Sequence, residues 1–279
     1  MKEILPLLVL RFLPRNLLSR AFGFLAARRR PRFLVRAVIR WWARHFEVNV
    51  DEADGPLEDY PSLLAFFTRG LREGARPIDG DDKALVSPVD GNIGALGRID
   101  AGRLWQIKGM DYDLVSLLGS EEAARPFLNG SFVTVYLSPR DYHRIHAPDG
   151  GRVLSTIYCP GTLWPVNPPA VRRIPRLFAI NERATTVLDT PQGRVAVVMV
   201  GATNVGSIRL AYDDFVTNRG QHGFTRIHDP VPRLERGQHL ATFELGSTVV
   251  LLVESPDLSL GGLVEGTWVG MGSRIGEYR

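Results

Sequence analysis

One cysteine, Cys159, is all the chain offers for sulfur chemistry, which excludes an intramolecular disulfide framework and a multi-cysteine metal site and fits a reducing compartment. No apolar run approaches the ~18 residues that a membrane-spanning helix needs. Internal repeats, low-complexity tracts and a glycine-rich nucleotide fingerprint are also missing. Acidic residues are scarce at the start of the chain: residues 1–44 hold Lys2 and ten arginines against Glu3 alone, a balance of +10. The overall charge is +4, so the remainder carries −6 and the basicity belongs to the N-terminal segment. What is left is ordinary globular composition, 279 residues with 44% hydrophobic and 23% charged, enough for one large domain or two small ones.

The basic segment alternates short apolar runs (Ile4 to Leu10, Ala21 to Ala27, Phe33 to Trp42) with arginines, and Pro6, Pro14 and Pro31 divide it into two or three short helices. Arginines on one side with Leu, Phe and Trp on the other predict an amphipathic helical segment over 1–46 that lies in a membrane interface. Each Lys or Arg near an anionic surface is worth ~1 kcal/mol, and Trp41-Trp42 suits the headgroup boundary. Arg11, Pro14 and Arg15 interrupt the apolar core too early for a signal peptide. The leucines between the arginines favour a membrane over nucleic acid, and a presequence with Ser19 as its one serine is the lesser alternative.

From Val48 the character changes. Asp51 to Asp59, with Gly55-Pro56, reads as a linker. Ser62 to Phe67 with Leu71 has helical spacing, capped by Pro61-Ser62 and stopped around Gly74 and Pro77. Beyond Lys83, Ser131–Leu137, Arg194–Gly201, Leu240–Val253 and Thr267–Gly272 read as strands, and Glu121–Leu128 as a short helix. The expectation is an α+β fold: a mostly antiparallel β catalytic domain over 47–279 behind the N-terminal amphipathic helical membrane-binding segment.

Within that domain, Glu244-Leu245-Gly246-Ser247-Thr248 puts a glycyl-seryl bond where a strand favours bulky residues. The Ser247 hydroxyl is one step from the Gly246 carbonyl, so attack on it needs only a base and donors for the oxyanion. Ser87-Pro88-Val89-Asp90-Gly91 builds a turn that carries a carboxylate. In Ser138-Pro139-Arg140-Asp141-Tyr142-His143-Arg144-Ile145-His146-Ala147-Pro148, Ser138 caps a helical turn begun by Pro139, which predicts His143 and His146 on one side at i, i+3. Two histidines this close suit zinc as well as catalysis, but a third ligand would come from far away, with Cys159 and His222 the options, and no metal site is assigned. Asp90, the histidine pair and Ser247 supply a hydroxyl, an imidazole and a carboxylate. The hydrolase glycine-serine-glycine elbow is absent, so attack on the chain's own carbonyl fits better than attack on an external ester. Two rivals stand beside this: a serine lipid hydrolase using the same residues, and a non-catalytic β domain that docks on membranes.

The blocks Phe66-Phe67-Thr68-Arg69, Arg76-Pro77-Ile78-Asp79, Ser87-Pro88-Val89-Asp90-Gly91, Tyr142-His143-Arg144-Ile145-His146-Ala147-Pro148, Pro160-Gly161-Thr162-Leu163 with Val166-Asn167-Pro168, Asn181-Glu182-Arg183 and Phe243-Glu244-Leu245-Gly246-Ser247-Thr248 follow one another in an order that resembles the bacterial-type phosphatidylserine decarboxylase proenzymes, from about Phe66 to the C-terminus. The resemblance implies a lyase that cuts itself at Gly246-Ser247 into residues 1–246 (the beta chain) and 247–279 (the alpha chain), which stay together as a heterodimer. It implies Asp90, His146 and Ser247 as the self-cleavage triad, and Ser247 as the source of a covalent pyruvoyl cofactor that forms a Schiff base with the serine amine of phosphatidylserine. His143 is implied as the proton donor after CO2 leaves, with phosphatidylethanolamine as product. The implied partner is phosphatidylserine in an anionic membrane, not nucleic acid, with the enzyme peripheral on the cytoplasmic side of the inner cell membrane. A homo-oligomer is left open.

Overall fold

The run Val195-Ala196-Val197-Val198-Met199-Val200 is wholly buried. A strand with apolar side chains on both faces needs cover on both, and that requirement organises the molecule. The computed structural model of the chain describes residues 14–107, 110–203, 207–244 and 247–279. Among them the largest sheet has nine strands, all paired antiparallel. Its order is Phe224–Ile227, Gly151–Cys159, Arg183–Thr190, Gly193–Val200, Ser247–Val253, Ser131–Leu137, Gly91–Arg98 and Trp268–Val269, with Arg233–Leu234 also beside Gly151–Cys159. Ser247–Val253 is therefore a central strand, Ser247 opposite Leu137 and Thr248 between Tyr136 and Val200.

Alternation sends Val249, Leu251 and Val253 to one face and Val250 and Leu252 to the other. The first face is covered by two three-stranded sheets, Ile208–Leu210 with His239–Phe243 and Arg144–His146, and Ala84–Val86 with Arg274–Tyr278 and Leu258–Ser259. The second is covered by the helices Leu114–Leu118, Pro168–Val171 and Leu177–Ile180. Each Val or Leu buried this way contributes about 1.5–3 kcal/mol. The helix Leu114–Leu118 shows how short elements survive here: Asp113 accepts the Ser116 N–H at 2.7 Å, and Gly119 ends the turn in the left-handed region at φ 86°.

The N-terminal helices Arg15–Ala26 and Arg32–His45 pack with the short helix Leu63–Phe67 through Ala26, Ile39, Ala43, Phe66 and Phe67. Leu17, Phe24, Leu25, Phe33, Leu34 and Trp41 face outward. No described helix is long and apolar enough to cross a membrane. Residues 1–13, the start of the expected 1–46 segment, lie outside the described residues.

Several expectations change. Ser62 caps its helix, accepting the Ala65 N–H at 3.1 Å, but the helix stops at Phe67 rather than Leu71. The expected linker is pinned instead: Val50–Glu52 is a 3-10 turn and Ala53 bridges Leu71. Of Thr267–Gly272 only Trp268–Val269 is strand. Leu240–Val253 is two strands in two different sheets, His239–Phe243 and Ser247–Val253, and Leu245 and Gly246 between them lie outside the described residues. The helical turn that was to align His143 with His146 is absent. Ser138–His143 is an irregular turn and Arg144–His146 is a strand, because pairing with His239–Phe243 satisfies its backbone and overrides the local cap signal.

Candidate active site

Asp90 ends the turn between Ala84–Val86 and Gly91–Arg98, and its carboxylate is almost wholly buried. Buried charge needs partners. Arg76 supplies a bidentate pair, Nε to Oδ1 at 2.8 Å and Nη2 to Oδ2 at 2.7 Å, and the Met271 N–H donates to Oδ1 at 2.7 Å. Arg76 Nη2 also reaches Glu52 at 2.9 Å, and its hydrogen bond to Asp90 raises the guanidinium pKa further. Residue 91 must be glycine for this turn to sit where it does, since a Cβ there would lie 2.4 Å from the Tyr136 carbonyl oxygen.

The same turn holds the histidine strand, because the His146 N–H donates to the Pro88 carbonyl at 2.9 Å. His146 Nδ1 lies 2.7 Å from the Gly237 carbonyl, which can only accept, so Nδ1 carries the proton and Nε2 is the basic nitrogen. Tyr142 donates its hydroxyl to that nitrogen at 3.0 Å. Burial pushes the His146 pKa down to about 4, against the Gly237 bond that favours the charged form, so the ring is neutral at pH 7. Burial also pushes the Tyr142 phenol up to about 12, which keeps it a donor.

His143 is fully buried with its ring 4.0 Å from that of Phe67. Phe67 in turn meets Trp42 of the second N-terminal helix at 6.0 Å. His143 Nδ1 donates to the Asp141 carbonyl at 2.8 Å, and Nε2 has no partner among the described residues. Burial pushes its pKa down to about 3. Among the described residues His143 Nε2 is thus an acceptor without a donor.

Ser247 begins the central strand and is 1% exposed, and its Oγ also lacks a hydrogen-bond partner among the described residues. By alternation its side chain shares the face of Val249, which is the face that holds Val89, Ile145 and Phe243. Backbone pairing brings the segments that carry Asp90, His143 and Ser247 to one end of the main sheet: Ser247 pairs with Leu137, Asn92 with the adjoining Tyr136, and the Phe243 N–H donates to the His143 carbonyl, while in Arg144–His146 it is Ile145 that faces the core and His146 lies on the other face of that strand. The fold does not join these side chains by hydrogen bonds: Asp90 is held by Arg76, His146 by Gly237 and Tyr142, and Ser247 by nothing described. Gly246, the other half of the expected cleavage site, is outside the described residues.

Two cavities flank the head of the strand. A polar one of about 280 Å³ is lined by Arg69, Arg76, Asp90, Tyr142 and Trp268. A mostly apolar one of about 400 Å³ opens on the other face, along Thr248, Thr134, Tyr136, Val166 and Phe178. Among the described residues no three His, Cys, Asp or Glu side chains converge as a metal site.

Sequence reasoning missed Arg76 and Tyr142 as site residues. Both stand inside the quoted blocks, but only Tyr142, next to His143, carried any local hint of its neighbour. Arg76 is 14 residues from Asp90, and Glu52 and Met271 are more distant still.

Comparison with known proteins identifies the family. The phosphatidylserine decarboxylase family model matches residues 63–277. A phosphatidylserine decarboxylase proenzyme of Myxococcus xanthus (strain DK1622) is 44% identical over 269 residues, 96% of this chain and 96% of the relative. One from Anaeromyxobacter sp. (strain K) is 47% identical over 258 residues, 91% of each chain. One from Brevibacillus brevis (strain 47 / JCM 6285 / NBRC 100599) is 43% identical over 262 residues. With a family match over most of its length and relatives of this identity covering nearly all of it, the chain belongs to the phosphatidylserine decarboxylase family.

Proposed function

We propose that this chain converts phosphatidylserine to phosphatidylethanolamine and CO2, using a pyruvoyl group that it makes from its own Ser247. The observation that carries the reading is the Ser247 hydroxyl: buried at the head of the central strand, without a hydrogen-bond partner among the described residues, and on the face of the sheet that the strands Arg144–His146 and His239–Phe243 cover. A hydroxyl left unpaired in the interior costs about 1–3 kcal/mol and calls for an explanation such as reactivity.

In the self-cleavage, His146 takes the Ser247 proton at Nε2, which Tyr142 yields to it, while Gly237 keeps the other proton in place. The serine oxygen attacks the Gly246 carbonyl and the peptide bond becomes an ester. Asp90, clamped by Arg76, sets a fixed negative charge near the imidazolium that forms. Elimination across the Cα–Cβ bond of Ser247 frees residues 1–246 with a carboxylate end, and hydrolysis of the remaining dehydroalanine releases ammonia and leaves a ketone on residues 247–279.

The site fits such a group, because the side chain that becomes it is small, enclosed and, among the described residues, free of competing hydrogen bonds. Once formed, the ketone supplies an electron sink for the carbanion left when CO2 departs. His143 works on the proton side. Its bare Nε2 accepts the proton that the substrate ammonium sheds and returns it to the carbon that lost CO2.

The exposed apolar residues of the N-terminal helices, set among arginines, hold the enzyme as a peripheral protein on the cytoplasmic side of an anionic membrane, where its substrate resides. The two chains remain one heterodimer through the paired central strand. The deciding experiment is Ser247→Ala with denaturing gels and intact mass. Wild-type protein is expected as two chains divided after Gly246, the smaller bearing a keto group, and the variant as one inactive chain of 31.0 kDa. Normal cleavage of the variant, or full activity from an uncut wild-type chain, would falsify the scheme; the latter result would favour a serine lipid hydrolase.

A further inference from the structure

The first N-terminal helix is docked on the catalytic body by three contacts. Asn16 Nδ2 donates to the Gly161 carbonyl at 3.2 Å, Arg15 lies 3.9 Å over the Trp164 ring, and Arg20 Nε donates to Asn218 Oδ1 at 3.3 Å. Beneath this junction is a polar cavity of about 250 Å³, whose wall joins Arg20 to Ser207, Thr217, Asn218, Arg219 and Glu244. Its charges do not cancel. Glu244 is already engaged by the Ser207 hydroxyl and by Arg209, Nε at 3.2 Å and Nη2 at 3.0 Å. Arg20 meets a neutral amide there, and the Arg219 side chain has no ion-pair partner among the described residues. Two guanidinium groups thus face a small space lined by hydroxyls and amides, which is the chemistry that receives a phosphodiester.

The location gives the anion an identity. Glu244 is three residues before Ser247, so their Cα atoms are at most roughly 11 Å apart along the chain. The helix that contributes Arg20 also borders an apolar groove of about 320 Å³ formed by Phe22, Leu25, Ala26, Leu34, Val38 and Leu63. Apolar groove, cationic cavity and Ser247 follow in the order of acyl chain, phosphate and amino acid in a serine phospholipid. We propose that this cavity binds the headgroup phosphodiester of the substrate, with Arg20 and Arg219 as its ligands, and so sets the reach of the serine amine toward residue 247. The assignment rests on the function proposed above.

Two readouts separate the site from that function. In neutral detergent micelles, where the detergent adds no surface charge, Arg20→Gln and Arg219→Gln should each raise KM for phosphatidylserine about tenfold or more, as expected for a lost charge-assisted hydrogen bond, with self-cleavage and kcat retained. The exposed Arg125→Gln is the control and should match wild type. In the uncut Ser247→Ala protein, phosphorus NMR titration with glycerophosphoserine should show saturable binding that Arg219→Gln weakens tenfold, and inorganic phosphate should bind more weakly than the diester. Unchanged KM and unchanged titration in both variants overturn the site, as does a loss confined to kcat or to self-cleavage, or a preference for free phosphate. Binding that responds to Arg219 in a protein that never decarboxylates phosphatidylserine would keep the phosphodiester site and remove the proposed reaction.

Discussion

Replacing Arg76 by leucine strands a charge in the interior. The Asp90 side chain is 2% exposed and that of Arg76 is 13%, and the two share hydrogen bonds of 2.8 and 2.7 Å. Leucine retains much of the apolar stem but leaves Asp90 with a single donor among the described residues, the Met271 N–H. Removing one partner of a buried pair costs about 3–5 kcal/mol, mostly because the other charge stays behind uncompensated. The lost contact to Glu52, whose side chain is 29% exposed, adds no more than about 1 kcal/mol. Urea unfolding at pH 7 is the assay, in the Ser247→Ala background so that every species is one chain. Arg76→Leu should lower stability by about 3–5 kcal/mol, and adding Asp90→Asn should recover about 2 kcal/mol or more, since a neutral amide still accepts from Met271. A loss below about 1 kcal/mol, or strictly additive single and double variants, would refute the claim that Arg76 exists to hold Asp90. With Ser247 restored, Arg76→Leu should also slow self-cleavage, because the carboxylate is no longer held in place.

The remaining predictions concern the histidines and the turn beside them. His146, lowered to about 4 from 6.5, binds its proton in the unfolded chain first as pH falls; its contribution is whole above about pH 6.5 and is lost toward pH 4 at about 1.4 kcal/mol per pH unit. Burial raises Asp141 and Glu182, which bends the curve the opposite way, so the reading is the difference in slope between Ser247→Ala and Ser247→Ala/His146→Gln from pH 6.5 to 4.5; parallel curves would refute it. His143→Ala should still cleave but decarboxylate about 10² to 10⁴ times more slowly, and unimpaired turnover would remove its proton role. Gly91→Ala drives a methyl into the Tyr136 carbonyl oxygen and should cost about 1–3 kcal/mol in melting experiments while slowing self-cleavage; an unchanged melting point would show that the turn has room.

Much of the scaffold was legible because it depends on short-range composition. Ser131–Leu137 and Gly193–Val200 are rich in β-branched residues and become adjacent neighbours of Ser247–Val253. Ser62 signalled its helix because a cap acts within three residues, and Glu121–Ala124 with the 3-10 turn Arg125–Phe127 lies where a short helix was expected. The failures come where distant pairing outbids a local signal. Ser138-Pro139 has the letters of a helix start, yet Arg144–His146 completes a sheet with a strand about a hundred residues later in the chain. Leu240–Val253 looks like one apolar run, and nothing local says that its halves serve two sheets.

What the order of residues determined alone was chemical: a basic, apolar-studded beginning, a glycyl-serine inside an apolar run, two histidines and a carboxylate in a sequence of blocks that names a family. Tertiary structure alone decided who holds whom. Arg76 rather than His146 grips Asp90, Gly237 decides which His146 nitrogen is basic, and Tyr142 occupies that nitrogen. The physical reason is range. Propensity and capping are settled over a few neighbours, whereas these hydrogen bonds join residues as far as 181 positions apart and exist only once sheet register has brought them face to face.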